Sequence, residues 1–231
     1  EGVVQSDGYE AYANYGKAQR LRGKHVTRAA CMAHIRRKFE NAAKQGERPE
    51  VVRWILRIIA LLYRIETPLR EHGASAEVRA RVRNNRSRPL IVLLDKAFKH
   101  LITRRILPQS PLGQALTYAI GQMPDMYPYL DDGRVEIDNN DTENDIRPSA
   151  VGKKNWLFIG SPEAGQRSAV IYTLLISARN HGVDPQAYLR AVIEGLPGAK
   201  ADEIDGYLPE NWAAAYRDAH PAVKSRRRHA A

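Results

Sequence analysis

The chain has 231 residues, one cysteine, 43% hydrophobic and 27% charged residues, and a formal net charge of +10. That length and apolar content support one large domain with an insertion or two small ones, and no apolar run is long enough to span a bilayer. Cys31 alone allows no internal disulfide and points to a reducing compartment, one Cys with seven scattered His argues against a structural zinc site, and the positive charge favours a polyanionic partner through counterion release.

In chain order, Val3–Gln5 reads as a short strand ending at Ser6-Asp7-Gly8. The first residue is Glu1 with the strand already under way, so an upstream extension or a truncated copy is expected, and no signal peptide is seen. Tyr9–Tyr15 reads as a short helix stopped by Gly16, Val26–Ala30 as a second strand, and Ala33–Lys44 as a helix. Between Ala11 and Phe39 stand eight Lys or Arg and no Asp or Glu. Such a block is either a solvated face or a surface that meets phosphates.

From Pro49 to about Leu130 the pattern is helical. Trp54, Ile58, Leu61, Leu62 and Ile65 recur at helical spacing as a core stripe. Arg79–Arg88 holds five Arg and reads as a solvated helix or loop that could touch DNA. Leu90–Thr103 and Leu112–Gln122 read as further helices. Asp131–Asp145 then carries seven Asp or Glu against one Arg, followed by the basic and apolar run from Lys153 to Gly160. Gln166–His181 reads as a helix stopped by Gly182. Asp184-Pro185 reads as an N-cap with Pro at the first helical position, opening a helix that runs to Gly195. Lys224–His229 reads as a basic tail.

The layout suits phosphodiester chemistry. Two Mg²⁺ ions about 3.5–4 Å apart can clamp the attacking and leaving oxygens of such a reaction. Mg²⁺ is typically held by one or two carboxylates plus water and substrate oxygens. Asp7 ends a strand beside the basic block, and Glu143 opens an acidic helix that continues into Arg147, Lys153 and Lys154. Each has an ordinary reading as well. Asp7-Gly8 is a common turn pair, and Glu143 suits a helix N-terminus after an Asn139 or Asn140 cap. His34 and Lys38 fall four apart on one helical face and read equally as surface side chains. The residues by themselves reach a basic nucleic-acid-binding protein with the makings of a metal nuclease.

The segment Gln5-Ser6-Asp7-Gly8-Tyr9-Glu10-Ala11-Tyr12 is similar to the motif around the second catalytic Asp of the insertion-sequence-66 family of DDE transposases. Cys31-Met32-Ala33-His34-Ile35-Arg36-Arg37-Lys38-Phe39 resembles the family's Cys-x-x-His-x-Arg-Arg-Lys-Phe stretch. Leu107-Pro108-Gln109-Ser110-Pro111-Leu112-Gly113 to Tyr118 resembles its helical segment before the last acid. The most specific match is Asp132-Gly133-Arg134-Val135-Glu136-Ile137-Asp138-Asn139-Asn140, then Glu143-Asn144-Asp145-Ile146-Arg147-Pro148 and Gly152 to Phe158. The motifs stand in the family's order along nearly the whole chain.

The resemblance implies an α/β fold: a ribonuclease H-like core lacking its N-terminal strands, with a large α-helical insertion and a helical C-terminal region. It divides the chain into core at 1–48, insertion at 49–130, core with the last acid at 131–182, and C-terminal helices with the basic tail at 183–231. It implies Asp7 and Glu143 as the second and third catalytic acids and as ligands of Mg²⁺ or Mn²⁺. It implies that His34, Arg36, Arg37, Lys38, Arg147, Lys153 and Lys154 meet DNA. The implied reaction is cleavage at transposon ends and transfer of the 3′-OH into target DNA, by an oligomer on double-stranded DNA in the bacterial cytoplasm, at the nucleoid. The family's first Asp lies upstream of Glu1, so this stretch alone is expected to be inactive, and a DNA-binding remnant without catalysis is the alternative. One further departure is Gln122-Met123-Pro124, where the family usually carries Trp after Asn-Gln, which questions a base-stacking role there.

Overall fold

The computed structural model describes residues 2–219, and the basic tail Lys224–His229 lies outside them. The described chain is mostly helical. Strand β1 (Gly2–Ser6) pairs in parallel with β2 (Val26–Ala30), with Gly2 opposite Val26 and Ser6 opposite Ala30. Among the described residues these two strands form the sheet. Helix α1 (Glu10–Leu21) connects them. It passes through Gly16 rather than stopping there, and Gly16 is buried. A glycine inside a helix costs only about 1 kcal/mol against alanine, too little to end a helix by itself.

After β2 come α2 (Met32–Lys44), α3 (Pro49–Glu71) and α4 (Ala76–Val82). A π-helical turn, Arg83–Ser87, leads into α5 (Arg88–Ile102). Helix α6 (Pro111–Gln122), a short 3-10 turn at Met123–Met126 and α7 (Tyr127–Asp131) complete this stretch. Then follow α8 (Asn140–Trp156), α9 (Pro162–Asn180), α10 (Pro185–Gly195) and α11 (Pro209–Ala219). Two compact units result, Glu1–Thr142 and Glu143–Ala231, with α8 running across the boundary.

In the first unit, apolar spacing decides which faces are buried. Met32, Ile35, Phe39 and Ala42 repeat along α2, and Val52, Ile55, Ile59 and Leu62 along α3. They share a core with Ile91, Leu94 and Phe98 of α5, Leu112 and Leu116 of α6, and Val135 and Ile137 beyond α7. Full burial of each such side chain contributes about 1.5–3 kcal/mol. Ser110 caps α6 by accepting from Gly113 N at 3.1 Å. Gly133 admits close contact, since a Cβ there would lie 1.9 Å from the Ala76 carbonyl oxygen.

Arg83 corrects the reading of Arg79–Arg88 as solvated. Its side chain is fully buried. Nε and Nη2 donate to the two oxygens of buried Glu66 at 2.9 and 2.8 Å. Nη1 donates to the carbonyls of Tyr129, Asp132 and Val135. The guanidinium also lies 4.4 Å from the Tyr129 ring centroid, and Tyr129 Oη donates to Glu66 at 2.7 Å. A buried charge is tolerable only when paired and hydrogen-bonded in this way.

The second unit has a smaller core. Ala178, Val183, Tyr188 and Ala213 are buried, with Leu174, Val192 and Trp212 packed against them. Asp184 caps α10 as its sequence predicts, accepting from Gln186 N and Ala187 N. Among the described residues no helix is long and apolar enough to cross a membrane.

Candidate functional site

Parallel pairing sends β1 and β2 out of the sheet at the same edge. Asp7 follows the last residue of β1, and Cys31-Met32 follows the last residue of β2. The segment Val135–Asn139, which is neither helix nor strand, passes this edge. Met32 N donates to the Ile137 carbonyl at 3.0 Å, and Gln5 Nε2 donates to the carbonyls of Ala30 at 3.1 Å and Glu136 at 2.7 Å. The strand ends and the first residue of α8, Asn140, are thereby gathered at one end of the first unit.

Asp7 is half-buried and sits in a turn, with Oδ1 accepting from Tyr9 N at 3.0 Å. Gly8 takes φ +85°, which favours glycine, and a Cβ there would come within 2.7 Å of Gln122 Nε2. Tyr118 Oη donates to the Asp7 carbonyl. The end of α6 therefore braces the turn that presents Asp7, a support the motif around Asp7 does not reveal. Met123, one residue beyond, is buried in the core, so that position offers no exposed surface for stacking on a base.

On α2 the basic side chains divide between two flanks. His34, Arg37 and Lys38 fall on one stripe by helical spacing, and Arg37 and Lys38 are exposed. Lys38 Nζ lies 5.3 Å from the Tyr118 ring centroid, which ties this stripe to the brace behind Asp7. Arg36 projects from the other flank, where Nε donates to Glu40 at 2.7 Å. In the preceding block Lys17, Arg20, Arg22 and Lys24 are exposed, while Arg28 pairs with Asp125 at 3.1 Å. Burial raises the Asp125 carboxyl, and the Arg28 charge opposes that shift.

Glu143 lies in α8, in the second unit, and is half-buried. Arg147 and Lys154 share its helical stripe at spacings of four and eleven residues, and Lys153 flanks it. Arg147, Lys153 and Lys154 are all exposed. The helix ends in the exposed run Trp156-Leu157-Phe158-Ile159, with Leu157 at φ 59°.

Around Asp138 the first unit holds an ionic array that the sequence did not disclose. Arg70 Nη2 meets Glu136 at 2.9 Å and Asp138 at 4.0 Å, while Arg79 Nη2 meets Glu136 at 2.5 Å and Glu66 at 3.6 Å. Burial raises the Glu136 carboxyl, but hydrogen bonding to Arg79 and the charges of Arg70 and Arg79 outweigh it and hold the group below its ordinary value. Among the described residues no group of three or more His, Cys, Asp or Glu is placed to hold a metal ion.

A family model described as "Transposase IS66 family" matches residues 1–167. Three uncharacterized proteins of Sinorhizobium fredii are similar to the chain. One (y4jD) is 35% identical over 92% of this chain and 42% of its own length, and another (y4qI) is 33% identical over 91% of this chain and 39% of its own. A third (y4hP) is 30% identical over 93% of this chain and 40% of its own, so the chain spans less than half the length of these relatives. No solved structure matches.

Proposed function

The chain belongs to the IS66 transposase family, and from that premise we propose that it supplies two of the catalytic acids, Asp7 and Glu143, for metal-dependent cleavage of transposon ends and transfer of the 3′-OH into target DNA. The observation that carries the reading is the edge where both strands end. Asp7 leaves β1 there, and α8, the helix of Glu143, begins there from the Val135–Asn139 segment. In this reading the two strands belong to a ribonuclease H-like core formed by 1–48 and 131–182, with 49–130 as its insertion and 183–231 as an appended helical region.

Hard carboxylate oxygens suit Mg²⁺ or Mn²⁺, and the donor chemistry of Asp7 fits. Oδ1 is engaged by Tyr9 N, and among the described residues no other donor holds Oδ2. Two carboxylates match what Mg²⁺ takes from protein, the remaining oxygens coming from water and substrate phosphates. Bound there, such ions would activate the attacking oxygen and stabilise the leaving one. The chain's own work is binding and alignment. Arg37, Lys38 and His34 hold phosphates on the Asp7 side, and Arg147, Lys153 and Lys154 do so along α8. Arg36, turned toward Glu40, takes a lesser part. The family's first Asp comes from an upstream segment, and the assembly is an oligomer on DNA.

The test is a strand-transfer assay with an end-sequence duplex and target plasmid in Mg²⁺, on the chain alone and on the chain joined to that upstream segment. The joined protein is expected to transfer strands and the chain alone to bind DNA in a salt-dependent manner without transfer. Asp7→Ala and Glu143→Ala should each abolish transfer while end-DNA binding persists. Retained transfer in either variant overturns the assignment.

A further inference from the structure

Helix α3 presents Tyr63, Glu66 and Arg70 at spacings of three and four residues, on one face. Glu66 is consumed by Arg83, as described above. Tyr63 and Arg70 address a different group. Asp138 is only 5% exposed, so its charged oxygens need partners from the protein. Arg70 stands 4.0 Å from Oδ1, Asn140 N donates to Oδ1 at 3.2 Å, and the Tyr63 phenol lies near enough to feel the Asp138 charge. Burial first, and then the Asp138 charge, push the Tyr63 phenol far above its ordinary value, which keeps it a donor.

Asn140 is the first residue of α8, and among the described residues that helix has no buried side chain. Apolar packing of its own therefore does little to fix where it starts. The bond from Asn140 N to Asp138 ties its first amide to the first unit, and a carboxylate suits a helix N-terminus electrostatically. Arg70 is itself shared with Glu136, which Arg79 also holds, so the tie is backed by the whole ionic array.

We infer that Asp138 is a positioning residue: held beside Tyr63 and Arg70 of α3, it fixes the first turn of α8 and so aims Glu143, three residues after Asn140. The inference rests on the reading of Glu143 as a metal-binding acid. It gives the helical insertion a task besides touching DNA, namely bracing the start of the acid-bearing helix.

The experiment uses the joined, transposition-competent protein. Mn²⁺ binding is read from the electron paramagnetic resonance of the free ion, the Mn²⁺ dependence of strand transfer is titrated, and end-DNA affinity is followed by anisotropy. Asp138→Ala is expected to raise half-saturating Mn²⁺ by about 10–100-fold, the usual cost of removing a group that orients a ligand, with end-DNA affinity unchanged. Asp138→Asn keeps an oxygen for Asn140 N and Tyr63 and should restore most of the loss, and Tyr63→Phe should shift the titration in the same direction by less. Unchanged Mn²⁺ dependence in folded Asp138→Ala overturns the inference. So does an Asn variant as impaired as the Ala one, which would mark Asp138 as a ligand. If Asp138→Ala does not fold, the Asn and Phe variants decide: an unshifted titration in Tyr63→Phe overturns the inference. Glu143→Ala separates the two failures. Activity retained in Glu143→Ala removes the functional reading and this inference together. A dead Glu143→Ala beside an unshifted Asp138→Ala removes the inference alone.

Discussion

In the first unit Phe39 stacks on Phe98 with ring centroids 5.2 Å apart, inside a core that draws on α2, α3, α5 and α6 and encloses a paired arginine. Among the described residues of the second unit four form the buried cluster, α8 buries no side chain, and Trp156 to Ile159 are exposed. The proposed acids thus stand on unlike supports. Asp7 rests on a turn braced by Tyr118 and Gln122 of α6, whereas Glu143 rides a helix tied at its first amide. Regions with few buried apolar contacts open locally at lower free energy, so the two units should differ in hydrogen exchange, with α8 and α9 exchanging before α2 and α3.

The largest effect that can break this contrast lies at Arg83. Arg83→Ala leaves Glu66 charged and buried and releases three carbonyls, a loss of about 3–5 kcal/mol by analogy with other severed buried pairs. Hydrogen exchange should rise across α3, α5 and α7 while α9 and α10 keep their protection. An equal rise in both units would show that they do not behave separately. A smaller effect is set by pH. Glu136 is held below its ordinary value in the folded chain, so its contribution is fully present above the unfolded carboxylate value of about 4.3 and is lost as pH falls through the folded one. Acid should therefore loosen the first unit, and Glu136→Gln should flatten the acid limb of its stability profile between about pH 4.3 and lower values. An unchanged limb would show that Arg70 and Arg79 contribute nothing to stability through this carboxylate.

What the residues disclosed in advance follows from how far each signal reaches. β2 was legible from local residue types, and α10 from Asp184-Pro185 at its start and Gly195 at its end. The Asp7 turn was legible too, because Asp-Gly with positive φ is a local device. Arg83 was not, since its partner Glu66 stands 17 positions earlier and a run of arginines resembles a solvated face. The sign to follow was Glu66 itself, an acid continuing the apolar stripe of Ile55, Ile59 and Leu62, where a buried carboxylate calls for a cation and hydrogen-bond donors. Arg36 shares its motif with Arg37 and Lys38, and Glu40 one turn later marks its separate flank. The braces behind Asp7 and Asp138 come from α6 and α3, at separations that local pattern does not span.

The smallest effect sharpens the contrast from the other side. Asp184 Oδ1 accepts from Gln186 N at 3.3 Å and Oδ2 from Ala187 N at 3.2 Å, with Pro185 already set for the first helical position. Asp184→Ala removes both acceptors and costs about 1 kcal/mol, while Asp184→Asn retains a capping oxygen and costs a few tenths. In a unit whose buried cluster is Ala178, Val183, Tyr188 and Ala213, such a loss is a large share of what holds α10 in place. Tyr188 couples it outward, because its hydroxyl donates to the Tyr207 carbonyl at 2.8 Å and its ring meets Trp212 edge-on at 5.6 Å. Amides of α10 and α11 should therefore exchange faster in the Ala variant, and those of α2 and α3 should not change. Exchange that accelerated in α2 by the same factor would mean that the second unit has no separate stability for the cap to support.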